Sequence, residues 1–417
     1  MISTETESET GRRRPAEVVV AGHICLDIIP QMQRETAGGA SGDPFFVPGK
    51  LVDIGPAVTS TGGAVPNTGL ALHRLGVPVR LMGKLGGDLF GRSIQDLLER
   101  EGEGLSAGLI VSPEAMTSYT IVVSPPGEDR MFLHCPGAND TFSAADVREA
   151  DVASARLFHF GYPPLMKGMF EHGGRELVDI FARVKAQGVT TSLDMARPDP
   201  NSPSGRVEWL SLLERLLPQV DVFLPSFEEL LFMLERDRYL ELDRELGAGR
   251  VLEALDDAML RRLADRLLGL GAAIVGIKLG EYGLYVKTTA DASRLRAIGA
   301  CWRGEAAPGW LDRELLAPCY AVVVTGTTGA GDCTIAGFLA GLLQGLPLER
   351  IALGAVAVGA CNVERPDATS GIPSWDAVER RMAAGWEQRQ MDVPRDETRW
   401  HRHETNGLWE SNNRNHA

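Results

Sequence analysis

Tyr320 to Gly345, YAVVVTGTTGAGDCTIAGFLAGLLQG, sets three local signals in one order. The β-branched apolar run Tyr320–Thr325 predicts a buried strand. Ile335, Phe338, Leu339, Leu342 and Leu343 recur at helical spacing. Between them lies Gly329-Ala330-Gly331-Asp332. Small residues there let backbone N–H groups at a helix N-terminus approach an anion closely. A carboxylate beside such an anion hole is electrostatically unfavourable unless it has a task. Taking a proton from an attacking hydroxyl is such a task. Asp332 is therefore the candidate general base, and Gly329, Ala330 and Gly331 the candidate donors to a transferred group.

The rest of the chain alternates in the same way. Glu17–Ile24 reads as a strand ending near Asp27, and Pro66–Leu75 as a helix closed by Gly76. Val77–Met82 reads as a strand, with a helix following over about 92–101. Helices near 172–187, 207–216, 226–235 and 250–270 interleave with strands at 157–160, 189–194, 220–224 and 272–279. This alternation predicts a mostly parallel sheet with helices on both faces. TSYTIVVS and RMFLH, joined by PPGED, predict a hairpin over 117–134. With the Gly- and Pro-rich stretch 31–60, it would make a small antiparallel patch at one sheet edge. Residues 1–16 read as a disordered leader, 17–390 as one catalytic unit and 391–417 as a polar, solvated C-terminal tail. The segments 236–250 and 291–318 read as insertions.

The 417 residues carry 42 Lys and Arg against 56 Asp and Glu, a formal charge of −14. That argues against a general nucleic-acid or anionic-membrane binder. Six scattered cysteines without a C-x-x-C read as free thiols in a reducing compartment. With no signal-peptide pattern and no apolar run of spanning length, a cytoplasmic enzyme is expected.

No G-x-x-x-x-G-K-[ST] occurs, and no G-x-G-x-x-G follows the first strand. The glycine chemistry is of another kind, and it appears at both ends of the chain. Gly326–Asp332, GTTGAGD, resembles the C-terminal signature of the ribokinase-like (PfkB-type) carbohydrate kinases, D-T-x-G-A-G-D. Gly62-Gly63-Ala64-Val65-Pro66-Asn67 resembles the family's N-terminal G-G-x-x-x-N. GKLGGDLFG matches G-x-x-G-x-D-x-x-G at Gly83, Gly86, Asp88 and Gly91. The resemblance covers about residues 17–385 with the motifs in family order. It implies a three-layer α/β/α sandwich with a small antiparallel β lid drawn from about 29–61 and 115–137.

What the resemblance implies for chemistry is ATP-dependent phosphorylation of a primary sugar hydroxyl, with Mg²⁺ as cofactor. Asp332 would be the base. Asp27, Gly62, Gly63 and Asn67 would bind the sugar, and Asn139 in CPGAND is a further candidate. Lys278, Gly280, Gly283, Thr328 and Asn362 would surround the nucleotide. Glu229 in PSFEE resembles the Glu of the family's N-x-x-E, which organises Mg²⁺ through water; Ser226 stands where the family has Asn. Relatives often pair through their lids, so a homodimer is the expectation, with a monomer the alternative.

Two departures stand out. Gly326 replaces the family's Asp, which helps bind a monovalent cation in many members, so weak or absent potassium activation is expected. Ala196 replaces the Asn of the D-x-N-x-R pattern kept at Asp194 and Arg197, which argues against a sugar-acid substrate. A nucleoside kinase of the same family and a catalytically silent sugar-binding relative remain the alternatives.

Overall fold

The computed structural model describes residues 16–32, 48, 49, 51–124, 131–247, 249–304, 309–391 and 393–412. The expected leader therefore lies outside the described residues, as do Phe45-Phe46-Val47 and the PPGED connection. A ten-stranded sheet forms the centre. Its strands lie in the spatial order Trp400–Arg402, Trp409–Ser411, Glu314–Ala317, Leu284–Thr288, Ile274–Lys278, Val222–Phe223, Thr190–Leu193, Leu157–Gly161, Val18–Gly22 and Val79–Met82. From Ile274–Lys278 to Val79–Met82 all neighbours are parallel. The four strands at the other end are joined antiparallel.

The run Val18-Val19-Val20-Ala21 shows why the sheet is covered on both faces. Strand period two sends Val18 and Val20 into one core and Val19 and Ala21 into the other. Each fully buried valine side chain contributes about 1.5–3 kcal/mol. The first core is closed by the helices Ala64–Arg74, Leu89–Glu101, Ala330–Gln344 and Leu348–Val363, and the second by Arg175–Ala186, Trp209–Leu216, Phe227–Leu234 and Asp257–Gly269. Ala330–Gln344 and Leu348–Val363 approach closely because Gly337 faces the Ala355 backbone. A Cβ at Gly337 would sit 2.9 Å from Ala355 Cα.

A second sheet of four strands orders Ala57–Gly62, Cys25–Pro30, Tyr119–Val123 and Met131–Cys135. Its outer pairs are antiparallel and its central pair parallel. The expected hairpin is thus present, within the small lid-like layer.

Three expectations need correction. Tyr320–Thr325 is not a strand. Tyr320 makes one isolated bridge to Gln388, and Val323 and Val324 are exposed at 80% and 52%. Its apolar side chains border an open cavity instead of a sheet neighbour. Asp27 does not end the first strand; it lies inside Cys25–Pro30, after the chain turns at His23-Ile24. Last, the stretch read as a solvated tail from 391 adds two strands to the main sheet. It buries Met391, Val393, Trp400 and Leu408. Strands of three residues are too short to print a period, so composition dominated that reading.

Candidate active site

Ligands of open α/β sheets bind beyond the carboxyl ends of the strands, and here five adjacent parallel strands deliver polar groups to that edge. His23 follows Val18–Gly22, Tyr162 follows Leu157–Gly161 and Asp194 follows Thr190–Leu193. Ser226 and Glu229 follow Val222–Phe223, and Lys278 ends its own strand. Asp332 enters from the helix Ala330–Gln344, in its first turn.

Asp332 is 2% exposed. Asn67 Nδ2 donates to its Oδ2 at 3.0 Å, and the Tyr162 hydroxyl lies 2.8 Å from both oxygens. Asn67 therefore links the two glycine-rich signatures directly, across 265 residues of sequence. Burial pushes the Asp332 carboxyl above its usual range, offset in part by the Lys278 charge and by the Asn67 and Tyr162 hydrogen bonds. Tyr162 was missed by sequence reasoning. Its signal was its place directly after a buried strand, and it sits at φ 63°, a left-handed conformation uncommon outside glycine.

Lys278 Nζ donates to Asp194 Oδ1 at 2.6 Å. Burial acts to lower this ammonium, but Asp194, Glu229 and Asp332 together raise it. The carboxyls respond in kind. Burial raises Asp194 and Glu229; Lys278 opposes this, and the neighbouring carboxylates reinforce it. Three carboxylates against one ammonium leave two negative charges uncompensated, and Asp194 Oδ2 is buried without a hydrogen-bond partner. A divalent cation matches that excess, so the donor set fits Mg²⁺. Glu229 is oriented by a capping box: its Oε2 accepts from the Ser226 backbone N–H at 2.7 Å. Arg197 turns away, donating to the Tyr239 hydroxyl at 2.7 Å.

Beside Lys278 opens a cavity of about 300 Å³, lined by Gly280, Gly283, Tyr320, Val324, Thr327, Ala330, Gly331 and Gly359 among others. Its size is that of a small-molecule pocket. Gly283 has φ 107°, and a Cβ there would lie 2.0 Å from Ala317 O, so only glycine fits. Gly329, with φ 75°, caps the helix Ala330–Gln344 and packs on Ala368. Thr328 is exposed in the turn ahead of Gly329. Asn362 does not line the cavity; it is fully buried and donates to Ala368 O at 2.6 Å. It thereby holds the loop that covers the glycine turn.

On the other side of Asp332 lies the small sheet. Burial raises the Asp27 carboxyl, opposed by hydrogen bonds from Cys25 and Thr120. A Cβ at Gly62 would meet Asp27 Oδ2 at 2.3 Å, and one at Gly63 (φ 95°) would meet His23 Nδ1 at 2.5 Å. The glycine pair is thus required by Asp27 and His23 whatever else approaches it. His23 lies against His134 and Tyr162. Burial pushes His23 down to about 3, helped by His134, so it is neutral. Asn139 is fully buried; its amide oxygen accepts from Ile24 N–H and its amide nitrogen donates to Ile24 O, fixing the turn between the two sheets. Gly326 packs on the chain at 365–366, where a Cβ would lie 2.8 Å from Pro366 Cα. Asp88 is structural, capping Leu89–Glu101 and accepting from Thr117 N–H and Oγ1.

An uncharacterized sugar kinase of Archaeoglobus fulgidus is 26% identical over 305 residues, covering 73% of this chain and 98% of that protein. Probable fructokinase-6, chloroplastic, of Arabidopsis thaliana is 25% identical over 377 residues, covering 88% and 82%. Among solved structures, a fructokinase with bound ATP from Xylella fastidiosa superposes with a TM-score of 0.63 at 20% identity, over 88% of this chain and 98% of that one. An Arabidopsis thaliana ribokinase complexed with ribose and ATP gives 0.63 at 18% identity, over the same shares. The fold is therefore ribokinase-like. The model of the pfkB family carbohydrate kinases matches residues 16–375, and with both glycine-rich signatures meeting at Asp332, the chain belongs to that family.

Proposed function

We propose that this chain is an ATP-dependent sugar kinase that transfers the γ-phosphate to a primary hydroxyl of a small, uncharged carbohydrate. The observation that carries the proposal is the Asp332 carboxylate. It is buried, held on both oxygens, and set beside a nucleotide-sized cavity and the helix that leads from Gly63 to Asn67.

Asn67 and Tyr162 orient the carboxylate while leaving lone pairs to accept the hydroxyl proton. Ala330 N–H meets Thr327 O at 3.3 Å and Cys333 N–H meets Gly329 O at 2.8 Å, so within the first turn after Gly329 it is the backbone N–H groups of Gly331 and Asp332 that donate to the transferred phosphoryl group. Lys278 opposes its charge. Magnesium, when bound, neutralises phosphate charge. Glu229 and Asp194 would hold its waters, with Ser226 orienting Glu229. Asp27, Thr120, His134 and neutral His23 offer a polar, uncharged-ligand wall for vicinal hydroxyls. Among the described partners of Asp27 and His23 none is cationic, which fits a neutral acceptor better than a sugar phosphate or a sugar acid. Free cysteines fit a cytoplasmic setting, and the exposed Met131, Phe132 and Leu133 fit a homodimer formed through the small sheet. The catalytic unit would extend through 412, since the last strands complete the main sheet.

ADP release across neutral sugars, sugar phosphates and nucleosides tests the reading. Sugar binding without turnover of any acceptor overturns it, and a nucleoside preference replaces the sugar. Asp27→Ala is expected to raise the sugar KM about 10- to 100-fold, the worth of hydrogen bonds to a charged group. The ATP KM should hardly change; a loss confined to ATP affinity would show that Asp27 serves another ligand.

Potassium is expected to do little. The 365–366 chain fills the space a side chain at 326 would need. A cation without differential contacts shifts no equilibrium, so exchanging K⁺ for a bulky organic cation should change turnover by less than about twofold. A large activation would reassign the cation site to other groups.

A further inference from the structure

The C-terminal hairpin carries metal-ligand residues that phosphoryl transfer does not use. His401 lies in the edge strand Trp400–Arg402 and His403 directly follows it. Their rings stack with centroids 5.0 Å apart and planes 18° apart. Glu410 is the register partner of His401 on the neighbouring strand, so it projects to the same face. Glu410 Oε2 lies 3.0 Å from His403 Nε2 and 3.9 Å from His401 Nε2. One ligand atom from each of the three residues falls within 4.8 Å of the others.

The surroundings orient His401 and Glu410, while His403 Nε2–H donates to Glu410 Oε2 and would give up that proton to a metal. His401 Nδ1 lies 2.9 Å from Asn412 Oδ1. An amide oxygen only accepts, so Nδ1 carries the proton and Nε2 keeps its lone pair. This is the outer-shell arrangement that orients a metal-ligating imidazole. Arg313 Nε fixes Glu410 by donating to Oε1 at 2.8 Å, leaving Oε2 toward the histidines. Arg313 also pairs with Glu349. Two carboxylates, Glu410 and Glu349, thus share the single Arg313 guanidinium. The side chains of His401 and His403 are 48% and 27% exposed, enough to rotate together and to admit water as a fourth ligand.

We propose that His401, His403 and Glu410 form a binding site for one divalent transition-metal cation of the zinc class, clipping the edge hairpin of the main sheet. Two imidazole nitrogens, a carboxylate oxygen and water suit zinc better than magnesium, which prefers all-oxygen ligands. The mechanical consequence follows from place. The edge strand Trp400–Arg402 has three residues and one sheet neighbour, so it is weakly held, and a cation shared by both strands would tie them.

The full-length protein is stripped with a chelator and dialysed against zinc in excess Mg²⁺, which occupies the phosphate-side carboxylates. One zinc per chain and a rise in Tm with zinc are expected. The double variant His401→Ala/His403→Ala should weaken this binding by about 100-fold or more, and His401→Ala alone by at least about tenfold, the loss that removing even an outer-shell partner brings. Both changes are at exposed or half-exposed positions. Unchanged sugar-kinase turnover and an unchanged metal-free Tm would show that the variants fold. Absence of stoichiometric zinc, or undiminished zinc binding in His401→Ala and in the double variant, overturns the proposal.

Discussion

Asp332→Asn is expected to lower kcat by about 10²–10⁴, the span of lost general-base catalysis, with ATP affinity little changed. The same change should make the protein more stable near neutral pH. Burial raises the Asp332 pKa, so its protonated form is the one the folded state prefers. That stability is fully present below the unfolded carboxyl value and is lost as pH rises through the folded value. At neutral pH the ionised carboxylate is therefore a cost that asparagine removes, while keeping the hydrogen bond with Tyr162. Tm should rise by roughly a few degrees. The wild-type rate carries the same signature: kcat/KM should fall as pH drops through the raised value, placing the acid limb above the range of an ordinary carboxylate. Unchanged turnover in the variant would remove Asp332 from the mechanism. An acid limb at an ordinary carboxylate pKa would deny the role of burial.

Lys278→Met is expected to have the largest effect on stability, a loss of about 3–5 kcal/mol, because it strands buried charge. Asp194 is fully buried with its ammonium partner at 2.6 Å, and Glu229 and Asp332 lean on the same cation. Without it the carboxylates must be protonated or repel each other. The loss should therefore be greater at pH 8 than at pH 5.5. Adding Asp194→Asn to Lys278→Met should recover part of it, since the pair is coupled. Urea unfolding with linear extrapolation measures both. A loss below about 1 kcal/mol at pH 8, or no recovery in the double variant, would show that the lysine is not the cluster's counter-charge. Turnover should also fall, as Lys278 stands beside Gly331 at the edge of the cavity.

The local code was legible where side chains repeat. The valines of Val18–Gly22 declared a two-faced strand, and the glycine pattern at 329–331 declared a helix start. It misled where apolar residues line a cavity or belong to a short strand. Val324 looks like a sheet residue but lines a cavity, Val323 stands exposed, and Trp400 and Leu408 are core residues inside a polar stretch.

Asp332, Asp27, Gly63 and Asn67 are candidates from sequence alone because their motifs are contiguous. What those residues touch could not. Asn67 meets Asp332 from 265 positions away, and Tyr162, Asp194 and Lys278 converge only because parallel strands stack their carboxyl ends at one edge. The chain by itself determined the layered α/β architecture and the helix start at the glycine turn, since both follow from spacing between near neighbours. Only the tertiary structure decided which charges share a buried space, which glycines are demanded by Asp27 and His23, and that Trp400–Arg402 and Trp409–Ser411 complete the sheet. Such facts depend on distances across the sheet, which strand order sets and local periodicity does not encode.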